Sequence, residues 1–309
     1  MLKKMTSFLL SGTLTVTALF SGCSDSVIQI RDGKTASQRI DAMLNDIQER
    51  KKNTASENKC TVNIGEGIDI TGEGAWFEGN ILTISEGGEY RLSGNIIDGS
   101  VYIETDDDVK LILDGLKIYN SEGTAVYCYK AKNLSIELSE NKENIFSDCA
   151  EYTFEGKNES KEENEPNAAL FSNSDIAFSG NGALKINGSY DSGISCVGEI
   201  SLNGGTITVD AVGNGIKSGI VKMKDGNLTL KAGKSGIYAR NKHNGGVVIS
   251  GGKITVNSSD DCISSEEGIV MSGGTAVLVS EFGEGLSAAE EPEIKGGKLD
   301  FFKKEESAA

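Results

Sequence analysis

Glycine-rich turns that recur at a nearly constant interval constrain the fold of this 309-residue chain more than any other feature. Each turn is followed by a short run in which apolar residues alternate with others. The runs are NGALKI (181–186), GGTITV (204–209), DGNLTL (225–230), GGKITV (251–256), GGTAVL (273–278) and GGKLDF (296–301). Their second residues are separated by 23, 21, 26, 22 and 23 residues. Six phased matches predict a repeat architecture, in which each unit is stable only when it stacks on its neighbours.

Each period contains three short stretches with period-two alternation, which predicts strands and not helices. In the period that begins at Gly205, the alternating pairs are Ile207/Val209, Ile216/Ser218 and Val221/Met223. Three strands in about 22 residues predict an all-β, single-stranded parallel β-helix. A leucine-rich repeat is the rival at this period, but the sequence lacks both the L-x-x-L-x-L-x-x-N motif and a helical segment in each unit.

The N-terminus is typical of a bacterial lipoprotein. Lys3 and Lys4 precede an apolar run over 8–20, and the run ends in LFSGC at Cys23. We therefore expect residues 1–22 to be removed as a signal peptide and Cys23 to carry the lipid. A plain secretory signal and a membrane helix are the alternatives, although the run is short for a membrane span. The prediction is an exported, lipid-anchored protein that faces the cell exterior or the periplasm.

Residues 23–60 differ in composition and are predicted to form the lipidated tether. Within 35–52, four apolar residues have the spacing of one face of an amphipathic helix, which either belongs to a stalk or covers the first coil of the β-helix. These residues are Ile40, Met43, Leu44 and Ile47. The β-helix domain is predicted over 61–305, with an acidic, polar loop inserted at 151–166.

The formal net charge of −16 argues against nucleic-acid binding, because a phosphate backbone would be repelled. The same charge is compatible with bound divalent cations. Five cysteines follow Cys23 at irregular spacings and without a Cys-x-x-Cys motif, so we expect small buried apolar residues and no zinc site. A monomer is expected.

Residues at the same place in successive coils should stack in columns about 4.8 Å apart. The turn between the first and second strand of the coils carries oxygen-bearing side chains, which are the ligands that Ca²⁺ prefers. The candidate metal ligands are Asp191, Asp210, Asn214, Asn257, Asp260, Asp261 and Glu284. The adjacent pair Asp260 and Asp261 is the centre of this prediction. A solvated acidic turn that satisfies backbone groups is the alternative, and Lys231 and Lys234 interrupt any continuous row of ions.

Outward positions of the second strand should form a row on a flat face. They carry Tyr127, Phe171, Lys217 and Tyr238. Aromatic rings suit the faces of sugars, and Lys217 suits a carboxylate, so this row is the candidate carbohydrate-binding site. An ordinary row of solvent-facing side chains is the alternative.

Several motifs together resemble a family of bacterial cell-surface carbohydrate-binding domains with a pectate-lyase-like, right-handed β-helix. The motifs are SGNII (93–97), VKLILDGLKIYNSEGTAVY (109–127), PNAAL (166–170), NGIKS (214–218) and the recurrent glycine turns. The resemblance covers about 61–301 and implies calcium-assisted adhesion to plant cell-wall polysaccharides, including polygalacturonate and cellulose-like glucans. Family repeats typically read Asp-Asp-Gly-Ile. Here only 260–263 keeps both acids, with Cys262 in place of the glycine, so the number of ions stays open.

These features predict a non-catalytic, membrane-tethered protein that binds polysaccharide with the help of calcium. A calcium-dependent polysaccharide lyase on the same scaffold is one alternative, with Arg240 as its candidate base near Asp260 and Asp261. A structural adhesin or envelope spacer without sugar specificity is the other.

Overall fold

The computed structural model describes residues 58–152, 166–240 and 246–304. The predicted signal peptide, Cys23 and the predicted helix within 35–52 lie outside these residues, as does most of the insertion at 151–166. The described part is all-β and contains no helix, and so none that is long and apolar enough to cross a membrane. Its strands form a parallel β-solenoid of about 9 turns, which confirms the predicted fold class.

The strands are, in chain order, β1 (Lys59–Ile64), β2 (Ile68–Thr71), β3 (Ala75–Glu78), β4 (Ile81–Ile84), β5 (Gly88–Ile97), β6 (Ser100–Glu104), β7 (Val109–Tyr119), β8 (Val126–Lys130), β9 (Leu134–Leu138), β10 (Glu143–Ser147), β11 (Ala168–Ser172), β12 (Ile176–Gly180), β13 (Ala183–Gly188), β14 (Ser192–Ala211), β15 (Ile216–Ala232), β16 (Ile237–Ala239), β17 (Gly246–Ile249), β18 (Lys253–Ser258), β19 (Ile263–Ser265), β20 (Gly268–Met271), β21 (Thr275–Ser280), β22 (Leu286–Ala288), β23 (Glu293–Ile294) and β24 (Lys298–Lys303).

The strands stack into three parallel faces that we call sheets 1, 2 and 3. Sheet 1 holds the strands that follow the glycine turns, such as β13, β18, β21 and β24. Sheet 2 holds β4, β6, β8, β11, β16, β19 and β22, and sheet 3 holds β9, β12, β17, β20 and β23. The long strands β14 and β15 bend through all three sheets and pair with each other in every one.

The register between coils follows the sequence repeat. In sheet 2, Ile194 pairs with Ile216, which pairs with Ile237, and the column continues through Ile263 to Leu286. Equivalent positions therefore lie directly above one another, as the spacing predicts. Each coil buries its inward side chains against both neighbours, at about 1.5–3 kcal/mol for each fully buried Ile, Leu or Val.

The glycine turns stack as tightly as the strands. Gly226 has φ +91°, and a Cβ added there would lie 2.7 Å from the carbonyl oxygen of Gly205. Gly252, Gly274 and Gly297 repeat this arrangement on the coils that follow. The first turn differs, because the positive φ falls on Gly180 and not on Gly182.

The cysteines of the described chain are free, and four of them are buried, as expected from their irregular spacing. Burial raises the pKa of the Cys196 thiol to about 12, so this group stays protonated and inert at neutral pH. Cys149 is half-buried beside the insertion.

The two ends of the described solenoid are finished differently. At the first coil, β2 pairs antiparallel with β1, and β3 pairs antiparallel with β4, so two hairpins lie over the first strands. At the last coil, Ile294 and Phe301 occupy inward positions but are 45% and 43% exposed, because no described strand follows β24.

Replacing Gly226 by Ala tests the stacked turns. We expect a loss of about 1–3 kcal/mol from backbone strain, because the new Cβ meets the Gly205 carbonyl at a positive φ. A chain of this size should melt about 2–4 °C lower for each kcal/mol lost. Gly65→Ala is the matched control, since nothing lies within 4 Å of its added Cβ. Equal melting temperatures for the two variants would contradict the stacking.

Candidate functional site

The outer face of sheet 2 brings the four predicted sugar-binding residues into one row. Phe171 pairs with Tyr127 on one side and with Ser195 on the other, and Lys217 pairs with Ser195 and Tyr238. The same register adds Tyr102 before Tyr127 and Ser264 after Tyr238. We call this row of seven residues the outward row.

Aromatic rings cluster at the first half of the outward row. The ring centroids of Tyr102 and Tyr127 are 5.5 Å apart, and those of Tyr127 and Phe171 are 5.6 Å apart, both edge to face. Phe171 is only 2% exposed, so it supports its neighbours and offers no free face in this structure. Tyr129 stacks on Tyr102 at 6.3 Å and is 42% exposed. Tyr129 therefore presents the accessible ring here.

The phenols of Tyr102 and Tyr127 are neutral. The Tyr102 hydroxyl donates to Glu104 Oε2 at 3.1 Å, and both side chains are buried. Burial, with the Glu104 charge as a second cause, holds the pKa of Tyr102 far above its ordinary value. Burial likewise raises the pKa of Tyr127. These hydroxyls therefore remain hydrogen-bonding groups without charge at any physiological pH.

The second half of the outward row is polar. Lys217 is half-buried and makes no ion pair with any described residue. On the next coil, the Tyr238 hydroxyl donates to Glu266 Oε1 at 3.1 Å, and Arg240 Nε lies 3.5 Å from the same oxygen. Glu266 thus holds both side chains in place, while the Lys217 ammonium remains available to a ligand.

A groove of about 540 Å³ opens beside Glu266, at the corner where sheet 2 turns into sheet 3. Val248 and Val270, which pair in sheet 3, line one side of it. The backbones of Gly246 and Gly268 leave the space open, and Glu290 lies on the opposite rim. The sequence pattern does not predict this groove, because its members come from three coils and two sheets.

The predicted metal ligands lie at the turn from sheet 1 to sheet 2, but lysines engage two of them. Lys234 Nζ lies 3.1 Å from Asp191 Oδ1 and reaches across the coil of Gly213, which has no side chain. Lys231 Nζ lies 3.0 Å from Asp210 Oδ2. The lysines that interrupt the column in the sequence therefore act as counter-ions for its carboxylates.

Asp260 and Asp261 accept hydrogen bonds from their own coil and from the next one. Asp261 Oδ1 accepts from the Glu284 N–H of the next coil at 2.8 Å. The backbone carbonyl of Asp260 accepts from the hydroxyls of Ser258 and Ser280, each at 2.8 Å. The two carboxyl groups thus differ in role, since only that of Asp261 ties one coil to the next.

Of the remaining predicted ligands, Glu284 and Asn214 accept backbone hydrogen bonds, and Asn257 is placed by its register in sheet 1. Cys262 N–H donates to the carbonyl of Glu284 at 2.8 Å, and Gly193 N–H donates to that of Asn214 at 3.0 Å. Asn257 stacks in register between Lys231 and Val279.

The described carboxylates do not gather into a metal site by themselves. In the described ranges, no three His, Cys, Asp or Glu side chains come together in a way that could hold a metal. Calcium takes six to eight oxygen ligands, so other oxygens would have to complete its shell. Calcium at this turn stays a prediction.

The arrangement expected for a lyase does not form around Arg240. Arg240 stands at the turn from sheet 2 to sheet 3, where it pairs with Glu266. Asp260 and Asp261 stand at the other end of β19, at the turn from sheet 1 to sheet 2. The strand therefore separates the candidate base from the carboxylates that would hold its metal.

A sequence model of the carbohydrate-binding domain-containing proteins matches residues 78–308. The chain belongs to this family. A carbohydrate-binding domain-containing protein of Acetivibrio thermocellus is 33% identical over 132 residues, which are 42% of this chain and 45% of that protein. This carbohydrate-binding domain thus matches less than half of that relative's length.

A solved structure supports the same assignment of the carbohydrate-binding domain. It is that of a polysaccharide lyase-like protein from C. thermocellum, in a gadolinium derivative. The two chains are 28% identical, with a TM-score of 0.73 over 79% of this chain and 100% of the other.

Replacing Asp261 by Ala should destabilise the protein by about 1 kcal/mol, because the Glu284 N–H loses a charged acceptor at a partly solvated turn. Asp260→Ala is the matched control and should change the melting temperature little, since the backbone carbonyl of residue 260 is retained. Thermal unfolding in chelator-treated buffer, with and without added calcium, measures both. Equal losses that appear only with calcium present would instead indicate a shared metal site.

Proposed function

We propose that this protein binds a polysaccharide, without cleaving it, along the outward row of sheet 2. The observation that carries the proposal is the combination of two features of sheet 2. The accessible Tyr129 ring packs beside the outward row, and Lys217 makes no ion pair with any described residue. The family supplies the ligand class in general terms. The outward row supplies chemistry that suits it, since tyrosine offers an apolar face and a polar edge to a sugar.

The flat face favours an extended chain over a small molecule. Side chains of the outward row repeat about every 4.8 Å along the solenoid axis, so a polymer that lies along the axis meets a new side chain at each coil. Many weak contacts of this kind add up without a deep pocket. The engagement of Arg240 by Glu266 supports a binding role over a lyase role.

The proposal also includes an acidic polysaccharide, a bound calcium ion and a lipid anchor. An acidic polysaccharide of the polygalacturonate type fits the Lys217 ammonium, and calcium is a further bridge between an acidic protein and an acidic glycan. A lipid on Cys23 would tether the exported protein to the membrane, with the solenoid as a monomeric binding module.

Replacing Tyr129 by Ala should weaken polysaccharide binding about tenfold, because a central aromatic contact commonly contributes more than 1 kcal/mol. Tyr238→Ala should weaken it to a similar degree. The measurement is retention on insoluble polysaccharides and calorimetry with soluble polygalacturonate, together with ultraviolet absorbance of unsaturated products, which should not rise.

Tyr119→Ala is the matched control, because Tyr119 is a similarly exposed tyrosine (39%) on sheet 1. The control should bind as the unaltered protein does. Equal losses of binding in Tyr119→Ala and Tyr129→Ala would show that the outward row is not the binding site. If the protein is retained on none of the polysaccharides, the structural spacer is favoured.

Removing calcium tests the cation. If a bridging ion is bound, it stabilises the folded state by about 2.7 kcal/mol at 100 times its dissociation constant. Chelator should remove this stabilisation and so lower the melting temperature. It should also weaken binding of polygalacturonate more than binding of a neutral glucan. An unchanged midpoint and unchanged binding would leave the lysine pairs as the only cations at the turn.

A further inference from the structure

The charge of the ligand-facing strip changes sign over four coils. Lys217 makes no ion pair with any described residue, and the next two coils carry Tyr238, Arg240 and Glu266, in which Glu266 contacts both of the others. One coil further, Glu290 lies on the groove rim and forms no ion pair with any described residue. A ligand that runs along the solenoid axis therefore meets a positive, a neutral and then a negative region.

The groove combines an apolar wall with the carboxylates of Glu266, Glu267 and Glu290, and therefore suits an uncharged ring. Val248 and Val270 form an apolar wall, and Val248 is 39% exposed. Neither Gly246 nor Gly268 projects a side chain, so a ring can approach the backbone there. The Glu290 carboxylate leans toward this floor, with Oε2 3.9 Å from the position of a Cβ on Gly268. An ionised carboxylate only accepts hydrogen bonds, so it suits a hydroxyl donor and repels another carboxylate.

We propose that the strip from Lys217 to the groove selects a polysaccharide in which an acidic sugar is followed by uncharged sugars. Lys217 pairs with the carboxylate of the acidic residue, and the groove takes a neutral ring two coils on. A homopolymer of uronic acid would place a second carboxylate against Glu290, where the described residues that line the groove include no Lys or Arg. The proposal rests on polysaccharide binding by the outward row, and it narrows the substrate class to a mixed acidic and neutral chain.

Three oligosaccharides of equal length test this specificity by calorimetry with the full protein at fixed ionic strength. They are an oligogalacturonate, an alternating galacturonate–rhamnose oligomer and a cello-oligomer. We expect the alternating oligomer to bind at least about threefold tighter than the oligogalacturonate. Lys217→Gln should weaken both acidic ligands about fivefold or more and leave the neutral one unchanged.

Glu290→Gln provides the decisive variant, because it removes the repulsion while keeping the shape of the rim. It should tighten oligogalacturonate binding by about 3- to 10-fold and change binding of the alternating oligomer less than twofold. Glu291→Gln is the matched control: it removes the same charge one residue away, outside the groove lining, and should change neither. Melting temperatures equal to that of the unaltered protein show that the variants fold.

The outcomes separate the two proposals. If all three oligosaccharides bind alike and Glu290→Gln has no effect, the specificity is wrong while polysaccharide binding by the outward row stands. If oligogalacturonate binds tightest in the unaltered protein, the specificity is also wrong. If no oligosaccharide binds, both proposals fail together.

Discussion

Parallel backbone hydrogen bonding between successive coils determines the place of every side chain discussed above. The ladder from Ile194 to Leu286 keeps equivalent residues in register, and the stacked glycines beginning at Gly205 keep the turns in register as well. Neither contact depends on which residues point outward. The outer faces are therefore free to vary from coil to coil, while their lattice of about 4.8 Å stays fixed.

The repeat made the fold and part of the site predictable. The glycine turns predict that Lys217 and Tyr238 share a row, and extending the same register upstream adds Tyr127 and Phe171. The sequence does not point to Tyr102 and Tyr129, because the upstream coils lack the regular glycine turn and because Tyr129 lies beside the row and not in it. The burial of Phe171 was also unforeseen, since an outward direction does not by itself make a ring accessible. The groove depends on contacts between non-equivalent positions, which a repeat cannot show.

At the turn between sheets 1 and 2, the stacking of equivalent residues is not enough to predict a metal site. Stacking predicts that polar side chains of successive coils lie near one another, but it does not show which groups neutralise the carboxylates among them. Lys234 reaches Asp191 across the coil of Gly213, an arrangement that depends on a long flexible side chain and on an absent one. Exposed pairs of this kind contribute little to the free energy of unfolding, yet they cancel repulsion that the acids would otherwise exert. A line of acids in a solenoid is therefore weak evidence for a metal until the nearby lysines have been placed.

The inward side chains left exposed along β23 and β24 indicate where the described solenoid yields first. Inner coils are coupled to two neighbours, whereas the last described coil is coupled to one and leaves Phe301 partly solvated. In a one-dimensional array with nearest-neighbour coupling, such a coil frays at the lowest cost in free energy. Glu290 belongs to that coil, while Val248 belongs to an inner one. The acidic rim of the groove can thus adjust to a bound ring, whereas its apolar wall stays rigid.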